Sequence, residues 1–370
     1  MQAQIAPGVI GHDGWVRVAY TLEQCWHRVP GGTGVAALRV ADALQQHPEV
    51  ELIGVAGRHH APAPAPWTPN IPVAHLRVGA PWLYETWLRM GWPKVERATG
   101  KVDVAHATTI IPCPSDAPLV VTVHDLAFLH EPDHFTRHGV RVFRQSLARI
   151  RREAALVLCS SRSTMEDCIR AGLDANCLRL VPLGVDAMAA EPSDVKAMRS
   201  RYGLPADYLL FVGTLEPRKN LRRLVQAVAQ LQHPLPLVVA GADGWGDTGI
   251  DPLANVQFLG FVPSAHLAPL YAGAAAFCYP SEREGYGLPV LEAMAQGTPV
   301  VTSRGTATEE TADGMAVLVD PFDVDDIARG IAEALSRRDE LGAGGAAHAR
   351  RHTWSDTAAL TLSAYREVAR

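Results

Sequence analysis

Apolar runs of strand length alternate with segments of helical period along almost the whole chain. In the first half the strand-like runs are 16–21, 51–56, 73–78, 102–106, 119–124, 155–160 and 178–183, and helical periodicity falls between them at 35–44, 81–98, 136–153 and 163–171. These runs are apolar at nearly every position rather than at every second one, which predicts a parallel sheet buried on both faces beneath its helices. The alternation restarts at Tyr208, with strands at 208–213, 235–240, 256–261, 275–279, 299–303 and 316–319 and helices at 221–231, 264–272, 288–296 and 324–337. Two doubly wound α/β domains are therefore predicted, 1–187 and 188–352, joined where 182–192 turns small and polar. A closing helix is predicted over 353–370, where Trp354, Ala358, Leu362 and Tyr365 form one apolar stripe.

Composition narrows the class. The 370 residues are 48% hydrophobic and 20% charged, the reverse of the balance that keeps chains disordered. A net charge of −5 and a pI near 6.3 lack the strongly basic footprint of a nucleic-acid-binding protein, so no nucleic-acid partner is expected. Cys25, Cys113, Cys159, Cys168, Cys177 and Cys278 form no Cys-x-x-Cys pair, and their mostly apolar surroundings suit free thiols in a reducing compartment. No basic segment leads into an apolar stretch near the start, and nowhere do 18 apolar residues follow one another. The expectation is a cytoplasmic protein whose membrane contact is confined to the periphery, at the inner face.

Parallel sheets bind ligands beyond the carboxyl ends of their strands, so candidate chemistry is sought in the loops there. The block Ser281-Glu282-Arg283-Glu284-Gly285-Tyr286-Gly287-Leu288-Pro289-Val290-Leu291-Glu292-Ala293-Met294 follows one apolar run and opens a helix. Its glycines permit close backbone approach, Pro289 suits a first helical turn, and the helix amino end offers N–H groups to a phosphate. Arg218 and Lys219 also lie between a strand and a helix, where both cations can enter the crevice and neutralise an anion. Gly31-Gly32-Thr33-Gly34 reads as a turn ahead of a helix at Val35, and His124 ends an apolar run.

The Glu284-Gly285-Tyr286-Gly287-Leu288-Pro289-x-Leu291-Glu292-Ala293 block resembles the signature of the retaining glycosyltransferases of family 4. The similarity extends to Phe211-Val212-Gly213-Thr214-Leu215-Glu216-Pro217-Arg218-Lys219-Asn220, Val123-His124-Asp125, Ser160-Ser161 and Val181-Pro182-Leu183-Gly184-Val185-Asp186. It implies the GT-B fold: two Rossmann-like domains facing each other across a cleft, a nucleotide-sugar donor held mainly by the second, and the last helix crossing back to the first. It implies that Arg218 and Lys219 stabilise a leaving diphosphate and that Glu292 holds ribose hydroxyls. Glu284, with the backbone of Gly285, Tyr286, Gly287 and Leu288, would hold the sugar, and Gly213 would line the donor site. Gly32, Thr33 and Gly34 would form a flexible loop near the donor phosphate, and His124 would contact the sugar beside the reacting carbon.

The string from Gly213 to Asn220 looks most like bacterial mannosyltransferases. GDP-mannose is thus the first expectation for the donor, ahead of a UDP-sugar, with an acceptor hydroxyl on a glycan or glycolipid. A nucleotide-sugar 2-epimerase of the same fold and a catalytically silent nucleotide-sugar-binding protein are the alternatives, though the silent protein would be expected to have lost the cations or the acids.

Two look-alike motifs are set aside. Gly241-Ala242-Asp243-Gly244-Trp245-Gly246 lacks the glycine spacing of a dinucleotide loop. Asp323-Val324-Asp325-Asp326 has a metal-binding Asp-x-Asp spacing but reads as a helix cap, so neither a cofactor nor a catalytic metal is expected. The tryptophan-rich stretch from Pro81 to Trp92, with Arg137, Arg141, Arg144, Arg149, Arg151 and Arg152, fits a helix packed on its own domain with a solvated arginine face, the reading the sequence favours. The same mixture of aromatics and cations occurs in interfacial helices and would suit a lipid-linked acceptor.

Overall fold

Thirteen parallel strands form two sheets in the computed structural model, which describes residues 15–28, 30–242 and 255–369. Unit 1 comprises Met1–Leu126, Thr136–Pro182 and Trp354–Arg370, and unit 2 comprises Ala127–Phe135 and Leu183–Thr353. In unit 1 the strands are β1 (Val16–Thr21), β2 (Val50–Ala56), β3 (Val73–His75), β4 (Val104–Ala107), β5 (Leu119–Val123), β6 (Ala154–Cys159) and β7 (Leu178–Leu180). They lie in the order β3-β2-β1-β4-β5-β6-β7. Val18, Val104, Val120 and Leu156 are buried in the sheet interior, as continuous apolar strands require.

Unit 2 holds β8 (Leu209–Val212), β9 (Leu237–Ala240), β10 (Val256–Gly260), β11 (Ala276–Tyr279), β12 (Val300–Ser303) and β13 (Val317–Val319), ordered β10-β9-β8-β11-β12-β13. Each order reverses once, between β1 and β4 in unit 1 and between β8 and β11 in unit 2. Loops that leave the sheet in opposite directions at such a point open a crevice for a ligand.

The last helix, Trp354–Val368, belongs to unit 1 and packs on the helix Gly31–Leu44. Ala358, Leu362 and Tyr365 join the core around Val18, Tyr20 and Leu44, with Trp354 against its edge. The Tyr365 hydroxyl lies 2.6 Å from His106 Nδ1, whose other ring nitrogen lies 2.8 Å from Thr122 Oγ1.

Several elements differ from the sequence expectation. The predicted helix 81–98 is two helices, Trp82–Met90 and Glu96–Thr99, because Gly91 caps the first in the left-handed conformation (φ +62°) and Pro93 follows. The linker expected over 182–192 leads into a helix, Pro192–Tyr202, none of whose residues is buried, so it carries no apolar stripe to read. The helix Ala307–Ala312, capped by Thr306, also went unread. The helix Arg338–Ala349 is masked in sequence by glycines that its packing requires: a Cβ at Gly342 would lie 2.5 Å from the Gly297 carbonyl oxygen.

Candidate active site

The strand switch in unit 2 brings the loop after β8 against the loop after β11. Asn220 ties them together: its carboxamide donates to the carbonyls of Pro280 at 2.9 Å and Pro321 at 2.6 Å. Holding that position places Asn220 in the left-handed conformation (φ +60°) at the head of the helix Leu221–Ala229, which Asn tolerates better than most residues. The Glu282 N–H donates to the Arg218 carbonyl at 2.8 Å, a second link between the loops.

Arg218 and Lys219 converge on one carboxylate. Arg218 Nη1 donates to Glu284 Oε2 at 3.1 Å, and Lys219 Nζ donates to Glu284 Oε1 at 2.8 Å. Two further groups fix the cations. Glu216 Oε2 accepts from Arg218 Nε at 2.8 Å, and the Tyr279 hydroxyl accepts from Lys219 Nζ while donating to Glu284 Oε1 at 3.0 Å. The Tyr279 ring is fully buried between Phe211 and Phe277, so the hydroxyl has a fixed address. Gly213, at the end of β8, lies beneath the lysine stem: a Cβ there would sit 3.6 Å from Lys219 Cδ and Cε.

The electrostatics follow from this geometry. Burial works to raise the Glu284 carboxyl, but the Lys219 and Arg218 charges and hydrogen bonds from Lys219 and Tyr279 override it and bring it down to about 2. Burial lowers the Lys219 ammonium, and the Arg218 charge lowers it further, while Glu284 and Glu216 oppose the change. Two nearly enclosed cations are thus held by one carboxylate anion.

The remaining block residues hold the start of the helix after β11 and its packing. Glu292 stands in the helix Leu288–Ala295, and its Oε2 accepts from the Tyr271 hydroxyl at 2.9 Å. The Tyr286 side chain is buried, with its hydroxyl donating to the Leu183 carbonyl at 2.8 Å, so the expectation for its backbone stands apart from the side chain. Gly287 is a glycine for a packing reason as well, since it adopts φ +106° and a Cβ would meet Thr308 Cγ2 at 2.7 Å. Leu288 is the first residue of its helix.

The other candidates stand on unit 1. His124 directly follows β5, with Nε2 3.3 Å from the Thr108 carbonyl oxygen and its own carbonyl accepting from Thr164 Oγ1 at 3.1 Å. Burial lowers its imidazole, against the opposing pull of Asp125 and the Thr108 bond. Gly32, Thr33 and Gly34 are not a loop ahead of the helix but its first turn, since the helix starts at Gly31. Gly34 is excluded from carrying a side chain by Pro30, whose Cβ would lie 2.7 Å from the added atom, and Thr33 Oγ1 donates to the Pro30 carbonyl at 3.0 Å.

The look-alike motifs also have places. Asp323 caps the helix Val324–Ser336, accepting from the N–H groups of Asp325 and Asp326 at 2.9 and 3.2 Å. The glycine-rich motif lies outside the described residues from Asp243 onward. Sequence reasoning missed Tyr279, Glu216 and Tyr271. Tyr279 was signalled by its place as the last residue of a strand beside the switch point, Glu216 by its spacing of two from Arg218, and Tyr271 by nothing local.

Two parallel-sheet α/β units, one with a paired-cation cradle at its strand switch, define a glycosyltransferase of GT-B fold. Residues 30–188 match the model described as Glycosyltransferase Family 4, and residues 197–351 match Glycosyl transferases group 1. The chain is 33% identical over 265 residues to the O-antigen chain mannosyltransferase B of Escherichia coli, spanning 67% of this chain and 70% of that one. It is 29% identical over 388 residues to the D-inositol 3-phosphate glycosyltransferase of Xylanimonas cellulosilytica, covering 91% and 92% of the two chains. Anabaena Alr3699/HepE, solved in complex with UDP and glucose, shares the fold at a TM-score of 0.71 and 20% identity, over 94% of this chain and 99% of that one. The sucrose-phosphate synthase of Thermosynechococcus elongatus does so at 0.73 and 20%, over 95% and 98%. The chain belongs to glycosyltransferase family 4.

Proposed function

We propose that this glycosyltransferase moves a hexose from a nucleotide diphosphate to an acceptor hydroxyl in glycan or glycolipid biosynthesis, retaining the anomeric configuration. GDP-mannose is the first donor assignment and a UDP-sugar the second. The observation that carries this reading is the convergence of Arg218 and Lys219 on the Glu284 carboxylate. A diphosphate entering the crevice takes over the two cations, and Glu284 is released to accept from sugar hydroxyls. As the bond between the anomeric carbon and the phosphate oxygen breaks, charge grows on the diphosphate, where fixed cations act most strongly. The acceptor oxygen bonds to the anomeric carbon on the same face, and its proton passes to the departing phosphate oxygen. Glu292, held by Tyr271, is assigned to the ribose hydroxyls. For His124, Gly32, Thr33 and Gly34, family resemblance alone supports a part in holding the donor.

Mannose is favoured because the mannosyltransferase relative is more than 30% identical over two thirds of the chain. The test is incubation with GDP-mannose and with UDP-glucose, following nucleoside diphosphate release with and without a lipid-linked or soluble glycan primer and reading the new linkage by NMR. Acceptor-dependent release of GDP and an α-linked product are expected. Release of a free epimerised sugar without acceptor would favour the 2-epimerase, and binding without turnover a silent protein.

A further inference from the structure

Tyr286 stands in the turn that follows Glu284, with a glycine on each side. Gly287 adopts φ +106°, and a backbone flanked by glycines has little stiffness of its own. The place of this turn is therefore set by what its central residue touches.

Four hydrogen bonds run through Tyr286 as a closed ring. Its hydroxyl donates to the Leu183 carbonyl at 2.8 Å. Two residues further on, the Val185 N–H donates to the His352 carbonyl at 2.9 Å. His348, one helical turn before His352, has Nε2 2.8 Å from the Thr311 carbonyl oxygen and Nδ1 3.0 Å from Arg351 Nη2. A guanidinium can only donate, so Nδ1 accepts from Arg351 and Nε2 carries the proton given to Thr311. Thr311 Oγ1 then donates to the Tyr286 carbonyl at 2.6 Å, which closes the ring. Tyr286, Leu183, Val185, His348 and Thr311 are all buried. Leu183 and Val185 stand where the chain enters unit 2, and His348 and His352 stand just before it leaves at Thr353. The turn is thus tied to both ends of its unit.

We infer that Tyr286 is a positioning residue for the donor sugar: its own hydroxyl, and the Thr311 hydroxyl on its carbonyl, fix the turn that carries Glu284 against the first and last segments of unit 2. The inference rests on the assignment of Glu284 to the sugar hydroxyls. In the free protein Arg218 and Lys219 also hold the Glu284 carboxylate. Once a diphosphate takes over those cations, the carboxylate depends on its own backbone for its place. Misplacement by about 1 Å can cost on the order of 100-fold in rate.

Hydrogen exchange and donor kinetics on Tyr286→Phe, Thr311→Val and Thr311→Ser test it. In the free protein the first two should each speed amide exchange over 284–288 by about tenfold and leave 217–220 at the wild-type rate. Affinity for GDP and UDP should stay within about twofold, because Arg218 and Lys219 lie outside the ring. The kcat/KM for the nucleotide sugar should fall by about tenfold, and Thr311→Ser, which keeps the hydroxyl, should recover most of both effects. A purely structural tie would lower melting but leave the kinetics of the folded variant at wild-type values. Wild-type exchange or wild-type kcat/KM in Tyr286→Phe, an equal loss of diphosphate affinity, or no recovery in Thr311→Ser would overturn the inference. The sugar assignment is tested apart from it by Glu284→Gln: wild-type turnover in that variant would overturn the assignment, and the inference with it, whatever Tyr286→Phe does.

Discussion

Replacing Glu284 with Gln separates two roles that one carboxylate holds in this site. In the free protein the carboxylate neutralises Lys219 and Arg218, whose side chains are only 9% and 15% exposed. Removing one partner of a buried ion pair costs about 3–5 kcal/mol. Arg218 keeps Glu216, and the Gln carbonyl can still accept one hydrogen bond, so the expected loss falls below that scale, at about 2–3 kcal/mol. At about 2–4 °C per kcal/mol for a domain of this size, melting should fall by about 4–12 °C.

The loss also depends on pH. Glu284 titrates at about 2 when folded against an ordinary 4.5. A carboxyl lowered on folding adds stability that is complete above its unfolded value and disappears as the pH falls toward the folded one. The gap between wild type and Glu284→Gln should therefore be full at pH 7 and shrink below about 4.5. Nucleoside diphosphate should have the opposite effect. With no internal anion competing for the cations, GDP or UDP should bind more tightly to the variant, and each tenfold gain adds about 1.4 kcal/mol, or about 3–6 °C of extra thermal shift. Turnover should nonetheless fall, because the sugar contact is lost. Differential scanning fluorimetry with and without nucleotide across pH provides the assay. Unchanged melting in the free variant, or a nucleotide shift smaller than wild type's, would refute the exchange of carboxylate for diphosphate.

Other consequences follow from the same structure. Tyr279→Phe keeps the ring between Phe211 and Phe277 but removes the hydroxyl shared by Lys219 and Glu284; losing a hydrogen bond to a charged group is worth about 1.5–3 kcal/mol, so kcat should drop about tenfold or more, and wild-type turnover would exclude a positioning role. Burial, reinforced by His124, holds the His106 imidazole at about 3 instead of 6.5. A base lowered on folding loses stability as the pH falls from its unfolded value toward the folded one, so melting should decline below about 6.5; His106→Gln should flatten that decline, and an unchanged slope would show that other groups cause it. Turnover should survive EDTA, because Arg218 and Lys219 supply the charge a metal would bring; loss restored by magnesium or manganese would contradict this.

What the chain shows in sequence depends on whether the determining contact is local. β11, the Glu284–Gly287 turn and the following helix were legible because an apolar run, glycines and Pro289 succeed one another within about one loop and one helical turn. The Asp323 cap was legible for the same reason, since donor and acceptor are two or three residues apart. Tyr279 as a partner of Lys219 was not, because the pair meets only when a parallel sheet sets β8 beside β11, across sixty positions of sequence. The bond from the Tyr286 hydroxyl to the Leu183 carbonyl was not legible either, because the two are more than a hundred positions apart. Gly32, Thr33 and Gly34 read as a loop because glycine signals flexibility in isolation, whereas at Gly34 it answers to the Pro30 and Trp67 side chains. The helix Pro192–Tyr202 escaped notice because it buries none of its residues.

The central claim is that Arg218 and Lys219 hold the diphosphate of a nucleotide-sugar donor. Isothermal titration of wild type, Arg218→Ala and Lys219→Ala with GDP, UDP and the corresponding monophosphates tests it without knowledge of the acceptor. Wild type should prefer one diphosphate over its monophosphate, each variant should lose most of that preference, and turnover should fall by about 10²–10³, the scale for one transition-state charge stabiliser. Diphosphate affinity and turnover unchanged in both variants would contradict the account.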